Sequence, residues 1–190
     1  MKFFFHLRLM IFISLSWIIL FSFNKFLFEV FEFTSYANVI FIPAGLQLCF
    51  AFIYKINAFL GLLVGALITG VLIGDPQINT SKLIFISLIA ASTPILSVYL
   101  SDLMLKYGQL LKDITFFKII ITSIIFASIS TLFHNVYFVF QGLIFKEQLF
   151  ESIYIFFLGD IIGTLIFLTF IFNFQITIKK FIAKYNLIKC

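Results

Sequence analysis

The fold is decided by residues 36–74, YANVIFIPAGLQLCFAFIYKINAFLGLLVGALITGVLIG, in which a short polar link separates two apolar runs. The link, KIN at 55–57, has the length of a tight connection between two antiparallel helices. A helix needs roughly 20 apolar residues to cross the hydrocarbon core of a bilayer, and both runs approach that length. The pattern therefore predicts a helical hairpin in a membrane.

The rest of the chain has the same character. Mean hydropathy is +1.18, and 63% of the 190 residues are apolar while 11% are charged. A water-soluble domain of this size cannot bury so much apolar surface. We expect one integral membrane domain, an all-α polytopic transmembrane bundle with about six spans. The apolar runs place these spans at 7–28, 36–54, 58–74, 83–105, 114–138 and 152–174.

Basic residues are distributed unevenly between the two sides that six spans define. One side holds Lys2, Arg8, Lys55, Lys106, Lys112, Lys118, Lys179, Lys180, Lys184 and Lys189, and the other holds Lys25, Lys82 and Lys146. Cytoplasmic loops carry the excess of Lys and Arg. Both termini are therefore predicted to lie in the cytoplasm, with the protein in the inner (cytoplasmic) membrane. The outer loops carry Glu29, Glu32, Asp75, Glu147 and Glu151.

Several classes of function are not expected from this sequence. The net charge of +5 is spread over loop ends and the C-terminal tail, which favours contact with anionic lipid rather than nucleic acid. We find no Ser/His/Asp, HExxH or acidic metal motif, so we expect no enzyme, cofactor or metal site. Cys49 and Cys190 have neither a disulfide nor a zinc spacing.

Two ionisable residues fall inside the predicted spans. Asp160 lies roughly 12 Å into the sixth span, at 1.5 Å per residue, and His134 lies near the outer end of the fifth. Such groups are costly in hydrocarbon and usually functional. One interpretation is an outward-facing site for a proton or a small ligand, in which each group stabilises the charged form of the other. The other interpretation is a structural hydrogen bond between two helices.

A proline interrupts the second predicted span. Proline lacks the N–H group and frees the carbonyl four residues earlier, so a kink or an unwound turn is expected there. Exposed backbone groups are tolerated in a membrane only beside protein or a water-filled cavity. We therefore predict one pocket lined by Pro43, Gly45, Gln47, His134 and Asp160.

Glycines recur at four-residue spacing in the predicted spans. Small residues at this spacing let transmembrane helices approach closely. Three such pairs are predicted to pack helices together: Gly61 with Gly65, Gly70 with Gly74, and Gly159 with Gly163.

Two stretches resemble the membrane-associated sensor domains of the MASE type. FIPAGLQLCFAFIYKINAFLGLLVGALITG (41–70) is similar to the opening of that family, and FLGDIIGTLIFLTFIF (157–172) to its closing span. The matching positions are Pro43, Ala44, Gly45, Gly61, Gly65, Gly159, Asp160 and Gly163. The family typically has about eight spans, a proline after the closing Gly-Asp motif, and a kinase or cyclic-dinucleotide enzyme after the membrane domain. Here we expect six spans, 167–171 contains no proline, and we expect no such enzyme.

The resemblance implies a stand-alone sensor-like module that binds a small molecule or a proton and acts through a membrane or cytoplasmic partner. Two alternatives remain open on the sequence. Six spans in this length also suit the substrate-binding component of a vitamin transporter, whose docking to a membrane partner uses small-residue helix faces. The third alternative is a structural subunit of a membrane complex.

Overall fold

A computed structural model describes residues 2–34, 37–74, 78–106 and 115–185. These residues form six α-helices: α1 (Lys2–Phe28), α2 (Pro43–Tyr54), α3 (Ala58–Leu72), α4 (Thr80–Leu105), α5 (Phe116–Phe140) and α6 (Leu149–Tyr185). A small antiparallel hairpin of β1 (Glu32–Thr34) and β2 (Ala37–Asn38) lies between α1 and α2. Apart from this hairpin, the predicted all-α fold is confirmed.

Five helical stretches are long and apolar enough to cross a membrane: Phe4–Phe28, Pro43–Leu72, Thr80–Leu105, Phe116–Phe140 and Lys146–Ile171. Large apolar side chains cover the outside of the bundle, such as Phe26 at 82% and Phe140 at 84% exposure. A surface of this kind is compatible only with lipid or protein around it. The chain is a multi-pass membrane protein. Six crossings remain a prediction, because α2 and α3 together form one of the five stretches, Pro43–Leu72.

That stretch is broken where α2 ends. Lys55 has φ 50° and ψ −131°, and a single 3-10 turn, Lys55–Asn57, leads into α3. α2 runs antiparallel to α1, because its start lies near the end of α1 and its later residues lie beside earlier residues of α1. The N–H of Ile42 donates to Asn24 at 2.9 Å, and the rings of Phe50 and Phe12 are 5.8 Å apart.

α3, in contrast, runs parallel to α1 at very close range. An added Cβ would lie 2.6 Å from Ile13 at Gly61 and 2.9 Å from Trp17 at Gly65. Such proximity allows Ser14 to donate its hydroxyl hydrogen to the carbonyl of Gly61 at 2.8 Å. Since α2 and α3 have opposite directions relative to α1, the chain reverses at 55–57 as the sequence predicts.

The predicted continuous span over 36–54 is wrong at its start. Residues 37–42 are not helical, and Pro43 is the first residue of α2, where a missing N–H breaks no helical bond. It therefore begins the helix instead of kinking one. Pro94 is the proline that lies inside a helix, buried within α4. Tyr36, where the span was predicted to begin, lies outside the described residues.

Most other boundaries differ by a few residues from the prediction. α4 begins at Thr80, because the side chain of Asn79 accepts the N–H of Lys82 at 2.9 Å and caps the helix. The largest difference is the end of α6, which lies at Tyr185 and well beyond 174, while its start at Leu149 is three residues before the predicted 152. Ile114, the predicted start of the fifth span, lies outside the described residues.

The six helices form a closed ring in the order α1, α3, α4, α5, α6, α2, and α2 also contacts α4. α4 and α5 are antiparallel, since Lys82 bonds to the carbonyl of Gln141 at one end and Lys118 to that of Lys106 at the other. α5 and α6 are antiparallel too, with the hydroxyl of Ser152 donating to Asn135 at 2.6 Å. Within this ring, each of the six helices directs at least one polar side chain toward a common cavity.

Candidate functional site

A cavity of about 170 Å³ lies inside the ring, and all six helices contribute to its lining. An apolar cavity of about 150 Å³ in another protein holds one benzene molecule, so this volume accommodates a single-ring compound or several waters. The lining extends from Gln47 and Ala90 to Lys25 and Gly74. The latter two lie where α1 and α3 end, so the cavity reaches toward that end of the bundle.

Three of the five predicted pocket residues line this cavity, namely Gln47, His134 and Asp160. The other two are buried nearby but are not part of the lining. Pro43 starts α2, and Gly45 packs against Phe167 of α6, where an added Cβ would be 2.5 Å from the Cβ of that residue. The structure thus brings together the polar members of the predicted set and places the two backbone-shaping residues outside it.

Asp160 is the most demanding group in the cavity. It is 2% exposed and lies about 16 Å from Leu149, the start of α6, at 1.5 Å per residue. The side chain of Ser130 on α5 lies close enough to interact with its carboxyl group. The second oxygen, Oδ2, has no hydrogen-bond partner among the described residues. Burial of an unpaired carboxyl oxygen is unfavourable, so a hydrogen-bond donor to Oδ2 would stabilise the site.

His134 is bound to the same serine in a different way. Its Nδ1 lies 2.8 Å from the backbone carbonyl oxygen of Ser130. Because a carbonyl can only accept, Nδ1 carries the hydrogen, and Nε2 of the neutral ring is left as an acceptor. The ring stacks on Phe156 with centroids 5.3 Å apart. The direct Asp–His pair predicted from the sequence is not formed; Ser130 instead contacts both Asp160 and His134.

Gln47 links α2 to α4 through a hydrogen bond to the backbone. Its side-chain nitrogen donates to the carbonyl oxygen of Ala90 on α4 at 2.9 Å. That carbonyl is four residues before Pro94, which has no N–H group to offer it. The α2 side chain therefore satisfies the acceptor that the α4 proline leaves unpaired, and it does so at the cavity wall.

The non-helical segment before α2 lies on the glycine face of α6. The N–H of Phe41 donates to the carbonyl of Gly159 at 3.2 Å. A Cβ at Gly163 would overlap the carbonyl oxygen of Phe41, and one at Gly159 would overlap that of Asn38. This glycine pair therefore packs α6 against an extended segment of backbone, where a second helix was expected.

Two asparagines that the sequence interpretation did not single out hold this segment in place. Asn24 accepts the N–H of Ile42 at 2.9 Å and donates to the carbonyl of Ile40 at 3.2 Å. Asn38 accepts the N–H of Ile40 at 2.9 Å and donates to the carbonyl of Phe28. Irregular backbone within an apolar bundle requires such partners. The available signal was an asparagine inside an apolar run.

Hydrogen bonds from α1 to α3 complete the wall of the cavity. The indole N–H of Trp17 donates to the hydroxyl of Thr69 at 3.1 Å, and both residues are buried. The amino group of Lys25 donates to the carbonyl of Ile73, just past the end of α3, at 3.3 Å. A positive charge is favourable at a helix C-terminus. Trp17 and Lys25, like the two asparagines, were absent from the predicted site.

The remaining predicted glycine pair is divided. Gly70 faces Leu83 of α4, while Gly74 lies beyond α3, where an added Cβ would meet the carbonyl of Gly70 in its own chain. Within the described ranges, no group of three or more His, Cys, Asp or Glu side chains could hold a metal ion.

The MASE-type resemblance depends on positions that have clear packing roles here. α1 packs closely against Gly61 and Gly65, and the segment before α2 packs closely against Gly159 and Gly163. These roles account for the residues without identifying a family. Comparison of the chain with protein-family models, with curated proteins and with solved structures finds no match.

Proposed function

We propose that this protein is a multi-pass inner-membrane module that binds a small ligand in its central cavity from the outer side and acts through a partner protein. The observation that carries the proposal is Asp160, which lines a ligand-sized cavity and whose buried Oδ2 has no hydrogen-bond partner among the described residues. Six crossings with both termini in the cytoplasm are part of the proposal. The excess of Lys and Arg at one end and the chain reversal at 55–57 support this topology.

A bound molecule would resolve the energetic problem of the site. A carboxylate in a low-dielectric interior is stable only when it is paired and hydrogen-bonded. The cavity of about 170 Å³ is larger than a proton would require. A ligand that contacts α5 and α6 at the same time is therefore favoured over simple protonation.

α6 supplies a route from the cavity to the cytoplasm. It carries Asp160 and continues to Tyr185, about 37 Å further at 1.5 Å per residue. A ligand that pulls on the carboxyl group would displace the same rigid helix at its far end. A cytoplasmic or membrane partner that contacts the end of α6 could detect this displacement.

The transport alternative loses one of the two features that suggested it, while the number of spans still suits it. Small-residue faces were expected to dock on a transporter partner, but Gly61 and Gly65 are covered by α1, and Gly159 and Gly163 by the segment before α2. Small polar residues of α4 and α5, such as Ser97 and Ser123, are buried inside the bundle as well. We therefore favour a binding and signalling module.

Native mass spectrometry of protein extracted gently from its own membrane tests the proposal. We expect a small molecule of defined mass on the wild type and its loss from Asp160→Asn and from Ala90→Leu, which places a larger side chain in the lining. Ser92→Leu is the matched control, because Ser92 lies on α4 but is exposed. Retention of the molecule in Ala90→Leu, or its absence from the wild type, would contradict a ligand in this cavity.

A further inference from the structure

In the cavity wall, most side-chain hydrogen-bond donors have protein partners, whereas several acceptors do not. Five side chains in the lining already direct N–H groups at protein acceptors. They are Trp17, Asn24, Asn38, Gln47 and His134, which donate to Thr69, Ile40, Phe28, Ala90 and Ser130. The amino group of Lys25 is directed at the end of α3. The side-chain donors of the wall are thus largely committed to the protein itself.

The groups left over are acceptors. No described residue donates to Oδ2 of Asp160, to Nε2 of His134 or to the side-chain oxygen of Gln47. The hydroxyl of Ser87, which is also in the lining, can donate or accept. A molecule that satisfies this wall must bring hydrogen-bond donors, and a positive charge on it would pair with the carboxyl group.

The apolar part of the wall includes two aromatic clusters. Trp17, Phe21 and Phe41 form the first cluster, with ring centroids 5.7 to 6.2 Å apart. His134, Phe138 and Phe156 form the second, with centroids 5.3 to 6.0 Å apart. Aromatic faces attract cations through their quadrupole, most strongly where water is excluded.

We propose that the cavity recognises a small organic ammonium ion, of about the size of a single ring, that donates N–H groups to Asp160. This inference depends on the proposed function, because it requires the cavity to be a ligand site. The ammonium group hydrogen-bonds to Oδ2, and the hydrocarbon part lies between the two aromatic clusters. A bound ammonium thereby supplies the partner that the buried carboxyl group lacks.

The test compares three probes of similar shape and different charge: benzylammonium, benzyl alcohol and benzoate. Each is titrated into the purified protein in a neutral maltoside detergent, and binding is measured by calorimetry and by the shift in Tm. We expect the association constant for benzylammonium to exceed that for benzyl alcohol at least tenfold, with benzoate weaker still. In Asp160→Asn the preference for benzylammonium should fall to threefold or less.

A steric control separates cavity binding from partition into the micelle. Ala90→Leu should remove the binding of benzylammonium, and Ser92→Leu on the exposed side of α4 should retain it. If Asp160→Asn does not fold, the order of the three probes on the wild type still decides the charge preference.

The outcomes distinguish the two proposals. Equal or tighter binding of benzyl alcohol or benzoate, blocked by Ala90→Leu, would overturn the ammonium inference and leave the cavity as a ligand site. If no probe binds in a way that Ala90→Leu blocks, the ammonium inference fails. The native mass spectrum, which assumes no ligand class, then decides the proposed function separately.

Discussion

The side-chain amide of Gln47 lies 2.9 Å from the carbonyl oxygen of Ala90, the acceptor that Pro94 leaves without its helical partner. This bond ties the short helix α2 to the middle of α4. It also supplies a donor to the unpaired carbonyl of Ala90, which lipid could not provide. The stability of the bundle should therefore depend on Gln47 and Pro94 jointly.

Replacement of Gln47 by leucine should lower the free energy of unfolding by about 1–3 kcal/mol, because a buried carbonyl loses its donor. In a Pro94→Ala background the same replacement should cost less, since the backbone N–H that this substitution restores would donate to that carbonyl. Chemical unfolding of the wild type, both single variants and the double variant in detergent gives the coupling energy directly. Strictly additive effects would show that Gln47 does not compensate for the proline.

Replacement of Gly163 by alanine should be more damaging than its size suggests. The added Cβ would overlap the backbone carbonyl of Phe41, which cannot turn away as a side chain can. We expect a loss of at least about 2 kcal/mol, typical of overpacking. Thr169→Ala, at an exposed position of the same helix, is the control and should change Tm little. Equal stability of the two variants would argue against this close backbone packing.

Much of the fold was predictable because apolar runs of near-span length leave few alternatives to transmembrane helices. The hairpin at 55–57 followed from the short link between two such runs. Pro43 was harder, since proline is compatible with a kink inside a helix and with a helix start. The choice between them depends on Gly163 and Asn24, which are distant in sequence and accept an extended backbone there.

The ionisable residues of the candidate site were predictable from the sequence, but their contacts with residues of other helices were not. Asp160 and His134 were conspicuous because charged groups are rare in hydrocarbon. That Ser130 would contact both depends on the rotation of α5 against α6, which no local pattern specifies. The same holds for Trp17, whose indole looked like any aromatic residue in an apolar run. Pairing across helices is the information that a single sequence lacks.

Asn24 should prove essential for the segment before α2. Asn24→Leu removes both its bonds to that segment and should lower the free energy of unfolding by about 2–4 kcal/mol, from two unsatisfied backbone groups. Asn57→Leu, at an exposed position of the 55–57 turn, should be nearly neutral. Thermal unfolding followed by circular dichroism measures both. A stable Asn24→Leu protein would mean that water supplies the missing partners.

The number of membrane crossings can be decided by cysteine labelling in intact cells. In a Cys49→Ala, Cys190→Ser background, single cysteines are placed at Asn57, between α2 and α3, and at Thr80, at the start of α4. Both native residues are exposed. Since α3 should cross the bilayer, an impermeant maleimide should label Thr80→Cys from outside, and Asn57→Cys only after permeabilisation.

A third position, Gln148→Cys between α5 and α6, should behave like Thr80→Cys, because α4 and α5 together return the chain to the same side. Labelling of Asn57→Cys and Thr80→Cys from the same side would instead make Pro43–Leu72 a hairpin that enters and leaves without crossing. In that case Asp160 would still lie in the bundle. The distribution of Lys and Arg would then no longer indicate whether the cavity opens to the cytoplasm or to the outside. The result therefore decides from which side a ligand must arrive.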